Sequence, residues 1–149
     1  MELKIKALSP KIGRELPLPA FATDGAAAMD LCACIDSPVV IPAGARTVIP
    51  SGIAIALPSA DYVALLFSRS GMGIKSGISL SNSVGVIDSD YRGEIGVGLH
   101  NTSDTDYTVN PGDRIAQLMI TPVVRPTVTL VDELPSSERG AGGFGSTGR

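Results

Sequence analysis

At 149 residues with a formal net charge of -3 and a pI near 5.0, the chain suits one domain with a real hydrophobic core, and its acidic balance argues against a broad nucleic-acid or acidic-membrane surface. No apolar run approaches the roughly 18 residues needed to span a bilayer, and the opening "MELKIKAL" lacks the apolar stretch of a secretory signal, so a soluble cytoplasmic protein is expected. The only two cysteines, Cys32 and Cys34, stand two apart on one face of a strand-like run and read as idle thiols, while His100, the only histidine, has no spaced partners for a zinc site.

In chain order, "AAAMDLCA" reads as an apolar strand interrupted by Asp30, whose carboxylate needs a structural hydrogen bond. "SPVVIPAGA" and "LPSAD" are turn signals on either side of Ile53, Ile55 and Leu57, which alternate with Ala54 and Ala56 as a half-buried strand does. "LLFSRSGMGIKSG" holds the one plausible helix, brief and weakened by its glycines; its Ser-Arg-Ser-Gly turn offers hydroxyls, a guanidinium and free backbone N–H groups that suit phosphate oxygens and equally suit a solvated turn.

In "LSNSVGVIDSDYRGE", Asp88 and Asp90 share a face if the chain is extended, with Tyr91 opposite. The apolar run before Asp88 suggests a carboxylate at a pocket wall; an ordinary turn is the simpler reading. Ile95, Val97 and Leu99 alternate with Gly96 and Gly98 as a further strand. After the turn signal "NTSDTD", "NPGDRIAQLMI" turns into a strand with Asp113 and Arg114 as a structural ion pair and with Gln117 among apolar neighbours, needing either a structural partner or a ligand oxygen. Residues 127–130 alternate once more. Short strands punctuated by 17 Gly and 11 Pro read as an all-β sandwich, barrel or jelly roll.

From about residue 135 the chain holds one large apolar side chain, Phe144, and is expected to stay mobile until something docks it. Its ending "GAGGFGSTGR" fits G-x-G-x-x-G and nearly fits a Walker loop, but both motifs need a following helix and four residues remain after Gly145.

Taken together and in this order, "MDLCA", "SRSG", "GVIDSDYRGE", "GDRIAQL" and "RGAGGFGSTG" resemble the five motifs of the trimeric dUTP pyrophosphatases, the dUTPases, over residues 23–149. The resemblance implies an all-β, jelly-roll-like β-clip subunit, with a β domain over residues 1–134 and a mobile C-terminal lid arm over 135–149, assembled as a homotrimer whose active sites are shared between subunits. It implies an enzyme that hydrolyses dUTP to dUMP and pyrophosphate by water attack on the α-phosphorus, limiting uracil incorporation into DNA and supplying dUMP for thymidylate synthesis.

Carried over residue by residue, Asp88 is the base or orienting group for the water, and Tyr91 packs against the deoxyribose and leaves no room for a 2′-hydroxyl. Asn82 and the backbone from Ser83 to Val86 and Ile87 read the Watson–Crick edge of uracil. Arg69, Ser70, Gly71 and Gln117 surround the triphosphate, with Ser70 beside the scissile bridge. Arg139 meets the γ-phosphate, Phe144 stacks on uracil, and Gly145, Ser146 and Thr147 wrap the terminal phosphates. Mg²⁺ is held by phosphates and waters, with Asp30 at most touching that water shell. Ser81 and Met29 are small departures, and His100 reads as a surface residue.

Two other readings compete. The dCTP deaminase branch shares the pyrimidine-triphosphate site, but the position of its deaminating glutamate falls on Gly98, which carries no proton-shuttling group. A nucleotide-dependent interaction protein would signal through the arm without turnover, and an intact Asp88 disfavours it.

Overall fold

The computed structural model describes residues 1–143. Among them are eleven strands and one short helix: β1 (Lys4–Ala7), β2 (Met29–Cys32), β3 (Val39–Ile41), β4 (Arg46–Pro50), β5 (Ile53–Ala56), β6 (Tyr62–Phe67), α1 (Ser70–Ser76), β7 (Ile78–Leu80), β8 (Gly85–Ile87), β9 (Gly96–Asn101), β10 (Tyr107–Val109) and β11 (Arg114–Pro122). The fold is all-β, as the period-two patterning and dense turn residues require.

Every ladder between these strands is antiparallel. A four-stranded sheet runs β2-β11-β6-β8, a three-stranded sheet runs β4-β9-β7, and the pairs β1-β5 and β3-β10 complete the set. One apolar cluster joins the sheets, with Leu31, Ala64, Leu66, Ile115 and Leu118 from the larger and Ile49, Ile78, Leu80, Val97 and Leu99 from the smaller. β11 is the spine: its nine residues bridge β2 and β6, and a register shift between Arg114 and Ala116 kinks its start.

β9 alternates as expected, Val97, Leu99 and Asn101 inward and Gly96, Gly98 and His100 outward. His100 is half-buried rather than a plain surface residue, because β9 is the central strand with Arg46 and Ser79 beside it. β5 departs from the half-buried expectation. Ile53, Ala54 and Ile55 are all buried, since β1 pairs alongside and sets Lys6 opposite the small Ala54. Asn101, read in the sequence as part of a turn signal, is fully buried. Its Nδ2 donates to the Ile41 and Thr105 carbonyls and its Oδ1 accepts from the Ser103 N–H and hydroxyl, so it ties β9 to β3 with all its capacity near satisfied.

Residues 127–130 form no strand, against the alternation: Val128 and Leu130 are 92 % and 98 % exposed. Alternation supplies a face, but a strand exists only beside another strand's free edge, and no strand among the described residues pairs with this segment.

Candidate active site

Three local structures place the residues singled out in "LSNSVGVIDSDYRGE". The β7–β8 connection turns tightly, with Ser83 in the left-handed region (φ 64°) and the Val84 N–H donating to the Asn82 carbonyl at 2.7 Å. A non-glycine there holds about 1–3 kcal/mol of strain, a cost found more often at functional turns than elsewhere. β8 then lies close on β6: a Cβ at Gly85 would stand 2.9 Å from Leu66 Cβ, so only glycine permits the approach. Val86 faces out and Ile87 in.

After β8 the chain turns, the Tyr91 N–H donating to the Asp88 carbonyl at 3.1 Å. The segment is thus a turn and not the extended run in which Asp88 and Asp90 would share a face. Arg92 Nη1 caps this turn by donating to the Ser89 and Tyr91 carbonyls, both at 2.8 Å. The Tyr91 ring lies over Gly93, where any Cβ would overlap the phenol, and its hydroxyl donates to the Glu94 carbonyl at 3.0 Å.

These pieces enclose a cavity of about 230 Å³ whose walls include Asn82, Val86, Ile87, Asp88, Tyr91 and Gly98. Asp88 is exposed and stands on a ridge, because a second cavity of about 440 Å³ opens on its other side toward Tyr62, Asp90 and Arg125. The first cavity is half apolar wall and half convergent polar groups, the composition of a small-molecule site. Glu94 also lines it; nothing in the alternation singles that residue out, and its sequence signal is its place at the end of "GVIDSDYRGE".

Arg69, Ser70, Gly71, Gln117 and Asp30 gather elsewhere. Ser70 and Gly71 are exposed at the start of α1, for which Arg69 is the N-cap residue, and the helix is stopped by Gly77 (φ 66°) and held to the core by Met72. Gln117 is half-buried, opposite Asp30 on β2 and Phe67 on β6, which leaves its amide reachable by solvent or a ligand. Asp30 is explained by two guanidinium groups: Arg69 Nε donates to Oδ1 at 3.2 Å and Arg114 Nη1 to Oδ2 at 3.0 Å, while Arg69 Nη1 donates to the Arg114 carbonyl at 3.1 Å. The expected Asp113–Arg114 pair is absent among the described residues. β11 begins at Arg114, which reaches across the ladder to Asp30 on β2, while Asp113 still belongs to the turn before it and closes that turn by accepting the Asn110 N–H at 2.8 Å.

The two groups do not meet within one chain. Ile87 pairs Ala64 and Gln117 pairs Phe67, both on β6; Asp88 lies one residue further still, so about 13 Å of strand separates its level from that of Gln117. Arg139 is exposed, donating to the Gly142 and Gly143 carbonyls at 3.2 and 3.4 Å. Phe144, Gly145, Ser146 and Thr147 lie outside the described residues. Cys32 and Cys34 are free thiols, and burial pushes the Cys32 thiol above its ordinary range.

Compared with known proteins, residues 14–148 match the family model dUTPase. The deoxyuridine 5'-triphosphate nucleotidohydrolase of Paraburkholderia phymatum is 50% identical over 149 residues, covering 100% of this chain and 99% of its own. That of Idiomarina loihiensis is 47% identical over 148 residues, with 99% and 98% covered. Among solved structures, the Staphylococcus bacteriophage 80alpha dUTPase with dUPNHPP superposes with a TM-score of 0.85 at 30% identity, covering 99% of each chain. A mutant dUTPase from phage phi11 of S. aureus, described for its coordination of a structural Mg(II) ion, superposes at 0.79 with 25% identity, covering 91% of this chain and 100% of its own.

Proposed function

The chain belongs to the dUTPase family, and from that membership we infer that it hydrolyses dUTP to dUMP and pyrophosphate, with water attacking the α-phosphorus. The observation that carries the assignment of roles is the 230 Å³ cavity, which brings Asn82, Asp88 and Tyr91 to one wall. In this reading the β7–β8 turn presents Asn82 and fixed backbone groups to the uracil edge, and a base with the wrong exocyclic group leaves buried donors or acceptors unpaired. Tyr91 lies under the deoxyribose and excludes a 2′-hydroxyl by bulk. Asp88, at the mouth, orients the water and takes its proton.

Gly98 supports hydrolysis over deamination. It lines the cavity with no side chain, so the group that would shuttle a proton in deamination is not there.

Arg69, Ser70, Gly71 and Gln117 take the triphosphate, Ser70 donating to charge that grows on the leaving oxygen. Their separation from Asp88 along β6 supports a site completed by a second copy of the chain, and the homotrimer is the closed assembly that gives three such sites. The unpaired apolar stretch with Val128, Leu130 and Leu134 exposed supports the same assembly, as a surface that water would otherwise cover. Residues 1–134 act as the β domain and 135–149 as the arm, with Arg139 on the γ-phosphate, Phe144 stacked on uracil, and Gly145, Ser146 and Thr147 around the phosphates.

Among the described residues no three acidic, histidine or cysteine side chains cluster as a metal cage, and both Asp30 oxygens are taken by guanidinium groups. The residues present do not fit a protein-held ion, so Mg²⁺ enters with the triphosphate, on phosphate oxygens and water. No helix among the described residues is long and apolar enough to cross a membrane; a cytoplasmic location is part of the reading, supported by the two free thiols. Pyrophosphate release measured with dUTP, dCTP, dTTP and UTP tests the whole: kcat/KM for dUTP should exceed the others by at least about 100-fold, and ammonia release from dCTP would sink it.

A further inference from the structure

We propose that Glu94 is a positioning residue for Tyr91, and that its carboxylate sets how strictly the site separates 2′-deoxyribose from ribose. The inference rests on Tyr91 being the sugar-facing ring.

Tyr91 is 46 % exposed, so packing alone does not fix its ring. What fixes it is one polar contact, the hydroxyl donating to the Glu94 carbonyl at 3.0 Å, and the bare Gly93 beneath the phenol. The ring is therefore only as still as the peptide of Glu94. The Glu94 carbonyl shares its peptide plane with the Ile95 N–H, which donates to the Ile53 carbonyl, so that peptide has one main-chain tie, on its Ile95 side, and Glu94 itself is the residue at which the ladder ends. An end residue of such a ladder frays unless something else holds it.

The Glu94 side chain does so. Its Oε1 accepts the Gly52 N–H at 2.8 Å, across 42 residues of sequence. Gly52 is a held donor: it has φ 73°, a Cβ there would fall 2.6 Å from Cys34 Sγ, and its own carbonyl accepts the Leu8 N–H at 2.8 Å. The other side-chain ties of the turn, from Arg92 to the Ser89 and Tyr91 carbonyls, stay inside it. Glu94 is thus the side chain that refers the Tyr91 ring to the rigid β4–β5 corner. With the carboxylate gone, the peptide keeps only its Ile95 N–H tie and swings about it, the acceptor for the phenol shifts, the ring tilts aside, and a 2′-hydroxyl finds space.

The readout is the ratio of kcat/KM for dUTP to that for UTP, which a general loss of fold or stability leaves unmoved. Glu94→Ala should lower this ratio about tenfold, the size set by losing one charge-assisted hydrogen bond, and Glu94→Gln, which keeps an acceptor oxygen, should restore most of it. Tyr91→Phe breaks the same link from the other end with the full ring retained and should lower the ratio similarly; the double variant should be no worse than either alone. If Glu94→Ala does not fold, Tyr91→Phe and Glu94→Gln decide. A ratio unchanged in Glu94→Ala, or unchanged in Tyr91→Phe, overturns the inference. Tyr91→Ala separates the two levels: if it leaves the ratio unmoved, the sugar-facing role itself fails, whereas a ratio that falls in Tyr91→Ala but holds in Glu94→Ala removes Glu94 alone.

Discussion

Asp30 and Arg69, 39 residues apart in the chain, are joined by a hydrogen-bonded ion pair in which Arg69 Nε donates to Asp30 Oδ1 at 3.2 Å, with side chains only 15 % and 24 % exposed respectively. The second Asp30 oxygen takes Arg114. One acid in an apolar strand therefore aims two guanidinium groups, and Arg69 stands next to Ser70, proposed to face the scissile bridge.

Asp30→Ala releases both arginines and leaves two like charges close together. KM for dUTP should rise about tenfold or more, while affinity for dUMP, which lacks the outer phosphates, should stay near wild type. Steady-state kinetics and dUMP titration calorimetry check this; equal weakening of both ligands would mean that Arg69 does not serve the outer phosphates.

Asp88→Asn should keep nucleotide affinity and slow turnover by roughly 10²–10⁴-fold, the usual contribution of a positioned general base. Single-turnover hydrolysis with saturating dUTP is the measurement, and turnover near wild type would take Asp88 out of the chemistry.

Mixing two inactive variants tests the shared site. Asp88→Asn and Arg69→Ala, unfolded together and refolded, should regain a substantial fraction of wild-type activity, because some sites then draw an intact Asp88 from one chain and an intact Arg69 from another. Each variant refolded alone should stay inactive. Absence of recovery in a mixture that sedimentation velocity shows to be mixed trimers would place all of these groups in one subunit.

Asn101→Ala should destabilise the fold by about 2 kcal/mol, since it empties a fully buried position and takes the side-chain partners from the Ile41 carbonyl and the Ser103 N–H. Urea unfolding followed by circular dichroism gives the value, and a loss below about 0.5 kcal/mol would show that neighbouring groups re-pair.

Much of this was legible in the sequence for local reasons. Alternation at Val97 and Leu99, the brief helix in "SRSGMGIKSG" and the isolated Asp30 each express a rule that acts within a few residues. The misreadings share a cause. Asp113 and Arg114 are adjacent in sequence, yet Asp113 closes the turn before β11 and Arg114 crosses to Asp30; residues 127–130 have the period of a strand, yet no strand among the described residues pairs with them.

By itself, the sequence determined that the chain would be an all-β domain and, through the order of its short motifs, which family it resembles, because period, turn residues and motif order are properties of neighbouring residues. Tertiary structure alone decided which motifs meet. Ladder register on β6 brings Asn82, Asp88 and Tyr91 into one cavity and sets Gln117 some way along the sheet, and only folding lays Glu94 against Gly52. Contacts across tens of residues depend on register and packing, which no local pattern encodes.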